Sequence, residues 1–167
     1  KKNANNTFTN VGVAANMASG VQTWSSAWGD FDNDGYMDAL VGASSFASGG
    51  HRLMKNNGDG TFLNITPNSG FHNFTGTGIE YVAQDFNNDG YIDVWCAGSN
   101  IIMYNNGNLT FSPSSLTFGQ GALGDLNNDG FIDVMNGNNL RINQGNANNW
   151  IKVAFQGIQS NRNGIGA

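Results

Sequence analysis

Ten of the twelve acidic residues of this chain sit in three copies of one nine-residue pattern, Asp-x-[Asp/Asn]-x-Asp-Gly-x-x-Asp. The copies are Asp30-Phe-Asp-Asn-Asp-Gly-Tyr-Met-Asp38, Asp85-Phe-Asn-Asn-Asp-Gly-Tyr-Ile-Asp93 and Asp125-Leu-Asn-Asn-Asp-Gly-Phe-Ile-Asp133. Only Asp59 and Glu80 fall outside them. Carboxylates crowded into so short a stretch repel one another, and a bound cation offsets that repulsion. The donors are all hard oxygens, which suits calcium, an ion that takes about six to eight oxygens at roughly 2.3–2.6 Å. The spacing predicts inward side chains at positions 1, 3, 5 and 9. These are Asp30, Asp32, Asp34 and Asp38; Asp85, Asn87, Asp89 and Asp93; and Asp125, Asn127, Asp129 and Asp133. The glycine at position 6 permits the sharp turn. Position 7 adds a main-chain carbonyl, from Tyr36, Tyr91 or Phe131. Three calcium sites are expected.

Other metal readings fit less well. An EF-hand needs a Glu at position 12 and flanking helices. Position 12 here is Val41, Cys96 or Asn136, and the residues after each loop favour strands. Soft-metal sites need thiolates or imidazoles, but the chain has one Cys and two His, none of them in a loop. The first loop carries four carboxylates and the others three. Because ligand charge helps set affinity, carboxylate number alone predicts that the first loop binds most tightly.

The elements that hold the loops read as strands. Ser26-Ala-Trp28, Tyr81-Val-Ala83 and Gly121-Ala-Leu123 lead in, and an apolar run follows each loop. Then come the turns Asn56-Asn57-Gly58, Asn105-Asn106-Gly107 and Asn143-Gln144-Gly145, which signal hairpins. Thr61-Phe62 and Thr110-Phe111 open the next strands, and Thr7-Phe8 matches them, so the chain is expected to open inside a repeat. Ser44–His51 reads as an exposed insertion in the first unit. Units of about four short antiparallel strands are a propeller-blade signature. The expected fold is therefore all-β, with about three four-stranded units, either part of a larger propeller or an open β-repeat array.

Composition agrees. The chain of 167 residues is long enough for a real core, and aromatic residues at 11% argue against disorder. The few basic residues are dispersed, which gives no nucleic-acid footprint, and no apolar run approaches membrane-span length. Cys96 lies in an apolar run and reads as a buried thiol; His51 and His72 read as surface or turn residues. No acid/base pair or nucleophile motif is present, so no enzyme activity is expected.

The units resemble the FG-GAP/VCBS repeats of integrin-alpha-like β-propellers. Gly124–Asp133 and Leu40-Val-Gly-Ala-Ser44 match that family's calcium loop and following strand, and Phe118-Gly119 matches its FG element. Residues 1–149 would then be the repeat region, with units at about 12–65, 66–113 and 114–149. Residues 150–167 resemble the beginning of an ASPIC/UnbV segment, as in proteins similar to cartilage acidic protein. The resemblance implies a calcium-binding module, extracellular or on the cell surface, for adhesion or for binding protein or glycan. The alternatives are a surface filament built from further copies of the chain and an accessory domain of a secreted enzyme.

Overall fold

The computed structural model describes residues 1–18, 20–151 and 153. Eleven strands form three antiparallel sheets, and the only helical elements among the described residues are two 3-10 turns, at Phe46–Ser48 and Ala97–Ser99. The first sheet is β1 (Ser25–Gly29), β2 (Asp38–Gly42), β3 (His51–Asn56) and β4 (Phe62–Asn64), in chain order. The second is β5 (Tyr81–Gln84), β6 (Asp93–Cys96), β7 (Ile101–Asn105) and β8 (Phe111–Ser115). The third has β9 (Ala122–Gly124), β10 (Asp133–Asn136) and β11 (Asn139–Arg141), with β10 in the middle. The first two units thus have the expected four strands, and the third has three. Residues 154–167, which hold most of the ASPIC/UnbV-like stretch, lie outside the described residues.

Each loop joins the first two strands of its sheet, so β2, β6 and β10 begin at the position-9 aspartate. The second strands are central. β10 leaves Met135 exposed, whereas β2 and β6 are covered on both faces. Such strands read as continuous apolar runs, and Asp-Ala-Leu-Val-Gly and Asp-Val-Trp-Cys are buried throughout. Alternation then assigns faces. Ala27, Leu40 and Leu53 lie opposite one another across the first sheet and pack towards Val94, Cys96, Met103 and Phe111 of the second. Val82, Trp95 and Ile102 form the matching row on the other side of the second sheet and pack against Leu123 and Val134 of the third. Trp95 is fully buried there, as expected of a core aromatic, and contributes roughly 3–5 kcal/mol. Trp24, Trp28 and Tyr36, by contrast, are exposed.

The chain's opening residues repeat an internal hairpin. Lys2 bridges Phe8 as Asn56 pairs with Phe62 and Asn105 with Phe111. The side-chain amide of Asn3 donates to Thr7 Oγ1, as Asn57 does to Thr61 and Asn106 to Thr110. Thr7-Phe8 thus copies the local pairing of Thr61-Phe62 and Thr110-Phe111, as an isolated bridge and not a sheet strand.

His51 departs from the surface reading. It starts β3, is buried, and packs against Phe71, Phe74 and Tyr81. Its Nδ1 meets the Tyr81 hydroxyl and its Nε2 lies 3.1 Å from the Gly76 carbonyl. His72 is exposed and Cys96 is buried, as expected.

Candidate metal centre

All three loops have one backbone shape. The asparagine at position 4 is left-handed (Asn33, Asn88 and Asn128, φ 59, 54 and 60°) and the following glycine also has positive φ (Gly35, Gly90 and Gly130, φ 90, 90 and 86°). Asparagine and glycine are the residues that tolerate such angles, which is why the sequence repeats them. This turn aims successive amides inward at the position-1 carboxylate. Asp30 accepts from the amides of Asp34 (3.0 Å) and Gly35 (2.8 Å); Asp85 from Asp89 (3.2 Å) and Gly90 (2.9 Å); Asp125 from Asp129 (3.1 Å) and Gly130 (3.0 Å). The position-5 carboxylates of Asp34, Asp89 and Asp129 each accept from the amide of Tyr36, Tyr91 or Phe131 at 2.9 Å.

The position-9 aspartates are fully buried. One oxygen of each accepts from the amide of position 2: Phe31 to Asp38 at 3.1 Å, Phe86 to Asp93 at 2.9 Å, and Leu126 to Asp133 at 2.9 Å. The other accepts from the amide of the turn asparagine: Asn56 at 2.8 Å, Asn105 at 2.8 Å and Asn143 at 2.9 Å. Each such carboxylate pins the loop to the hairpin beyond it, a role the sequence pattern did not reveal. Burial raises the Asp38 carboxyl and pushes that of Asp93 up to about 7, against the pull of these amides.

The aromatic residue at position 7 also does more than supply a carbonyl. A Cβ on Gly58, Gly107 or Gly145 would come within 2.7–2.8 Å of the ring of Tyr36, Tyr91 or Phe131. Each ring therefore seats on the glycine of its own hairpin turn.

Position 3 divides the loops. The side-chain amides of Asn87 and Asn127 donate to Asp89 (3.0 Å) and Asp129 (2.7 Å). Asp32 has no proton to donate. The Lys55 ammonium fills the gap and bridges Asp32 and Asp34. Burial of Lys55 works against its charge, but its bonds to the two carboxylates outweigh that and raise its pKa. The same bond from Lys55, followed by that of the Tyr36 amide, lowers Asp34. One ammonium set against four carboxylates leaves the first loop with the same net charge as the other two. Carboxylate number alone therefore does not make it the tightest.

The donors fit calcium. Oxygens of Asp30, Asp32 and Asp38 all lie within 4.8 Å of one another. Two oxygens on one calcium can be no more than about 5 Å apart, so one ion can bind all three. Asp32 Oδ1 is buried without a hydrogen-bond partner, a lone pair facing no proton. In the second and third loops the carboxamide oxygens of Asn87 and Asn127 instead accept from the amides of Asp89 (3.0 Å) and Asp129 (3.1 Å).

The loops are also tied in series. Asn33 donates to the carbonyl of Gly90 (3.0 Å), and Asn88 to that of Gly130 (2.9 Å). Residues 85–136 match the model of the FG-GAP-like repeat family. The matched span starts at the first residue of the second loop and ends with β10. The first loop lies outside it but shares its angles and the hydrogen bonds at positions 1, 5 and 9. Neither the search of curated proteins nor that of solved structures gave a match. No helix among the described residues is long and apolar enough to cross a membrane.

Proposed function

We propose that this chain is a non-catalytic, calcium-stabilised β-repeat module, displayed outside the cell, that binds protein or glycan as an adhesion surface. Calcium is structural: it neutralises the loop carboxylates and locks the connection between the first two strands of each sheet. The observation carrying this reading is the threefold recurrence of one pre-shaped oxygen cradle, with Asp32 Oδ1 buried and unpaired in the first copy. The extracellular setting suits it, because modules there work at calcium dissociation constants of about 0.1–1 mM. The FG-GAP-like match supports the adhesion class.

The test is thermal unfolding in calcium and in excess chelator. A site held at 100 times its dissociation constant adds about 2.7 kcal/mol, worth roughly 5–11 °C in a chain of this size. The expected result is a melting temperature lower by at least that much in chelator. Identical melting curves would reject a structural ion.

Assembly of copies into an array is a second reading. It is favoured by the row formed by Ala122, Met135 and Leu140 on the outer face of the third sheet, where Met135 and Leu140 are more than half exposed.

A further inference from the structure

We infer that Lys55 is a built-in counter-ion that sets the first loop apart from the other two, holding it together without metal and making it the weakest of the three calcium sites. The inference rests on the calcium reading above and deepens it. Aligned on the turn asparagine, the residues corresponding to Lys55 in the second and third units are Tyr104 and Ile142, which carry no charge near their loops at neutral pH. Those loops have asparagine at position 3, and its uncharged amide donates to the position-5 carboxylate. The first loop has Asp32 there, and Lys55 reaches in from β3 to bond both Asp32 and Asp34. Asp32 and Lys55 together thus do the work of one asparagine, with a difference. The asparagine's carboxamide oxygen accepts from the position-5 amide at 3.0 or 3.1 Å and has a second lone pair for the ion at no cost in positive charge, whereas the ammonium stands beside the cradle and repels any divalent ion that enters it.

Lys55 is not enclosed. Its side chain is 26% exposed, against 19% for Asp32 and 32% for Asp34, so it can swing out when an ion arrives. The first loop would then fill only when calcium is plentiful, while the second and third fill first.

A double-mutant cycle tests this in the full chain, with calcium chloride as the probe. The amide resonances of Gly35, Gly90 and Gly130 each read their own loop, because each amide bonds the position-1 carboxylate of that loop. In the parent chain Gly90 and Gly130 should titrate before Gly35. Lys55→Met should tighten the first site roughly tenfold, the effect of one unit charge on a divalent ion about 5 Å away through water. It should also lower the melting temperature in chelator, where Asp32 and Asp34 lose their partner, but not in saturating calcium. Asp32→Asn should weaken the first site, and Asp32→Asn with Lys55→Met should bring it level with the second. If Lys55→Met leaves Gly35 unchanged, or weakens its titration, Lys55 does not oppose the ion and the inference fails. If no loop glycine moves in any variant, the calcium reading itself falls.

Discussion

His51 shows how one side chain can be misread from composition and understood from its surroundings. It follows a glycine-rich stretch, which suggested a turn, yet β3 begins at this residue and carries the imidazole inward. In the neutral ring Nε2–H donates to the Gly76 carbonyl and Nδ1 accepts from the Tyr81 hydroxyl. Burial lowers its pKa below the usual 6.5, although the bond to Gly76 opposes the shift. A histidine depressed in the folded state binds fewer protons than in the unfolded chain. Its contribution to stability is therefore complete above about 6.5 and is lost as pH falls through the lower folded value. His51→Phe should be less stable at pH 7.5, because Tyr81 loses its partner, but it should lose less on acidification to pH 5.5. The raised carboxyls of Asp38 and Asp93 act in both chains and cancel in the comparison. Melting curves at the two pH values decide the matter, and parallel losses would exclude His51 as the source. Lys55 was hidden for a different reason. It lies 21 and 23 residues from the carboxylates it bonds. The available signal was positional: the one repeat with an extra aspartate at position 3 also has a lysine just before its turn asparagine.

At the scale of elements, the loops and hairpins were legible because local chemistry fixes both. Left-handed angles demand the Asn and Gly of each loop, and the Asn-x-Gly turns close each third strand. What joins one sheet to the next was not legible, because it runs between residues far apart in sequence. Asn105 is the example. Its side-chain amide donates to the Phe31 carbonyl of the first loop at 2.7 Å and to the Ile92 carbonyl of its own at 3.1 Å. Asn143 does the same one unit on, to Phe86 at 3.0 Å and Ile132 at 3.4 Å. Asn56 bonds its own loop at Met37, 3.0 Å away. Asn105→Ala would strip partners from two carbonyls, one of them in the neighbouring unit, at a cost of about 1–3 kcal/mol for each buried group left unpaired. Asn56→Ala should cost less, since it breaks no bond to another described unit. Urea unfolding of the two variants in saturating calcium measures the difference. Equal costs would mean that the bond between units contributes nothing.

At the scale of the whole molecule, one apolar row recurs on the same side of each sheet. Two of the rows are covered by the next sheet. The third, Ala122, Met135 and Leu140, has no sheet over it among the described residues. The edge of β11 beside it is also unpaired there, whereas β3 and β7 each pair with a fourth strand. A face that buries a partner twice within the chain is shaped to do so again, and the adjacent open edge offers backbone donors and acceptors. Association through this face joins unlike surfaces, the last sheet of one copy against another part of the next. Such head-to-tail contacts close into rings or continue as fibres. If this face drives assembly, sedimentation velocity should show the parent chain growing in mass with concentration. Met135→Lys with Leu140→Lys should stay monomeric at concentrations where the parent associates, since burying two ammonium groups in an apolar contact costs more than the contact returns. Both positions are exposed, so the folded monomer and its calcium dependence should be unchanged. A parent chain that remains monomeric throughout, or a double variant that associates equally well, would remove the array reading and leave the single module.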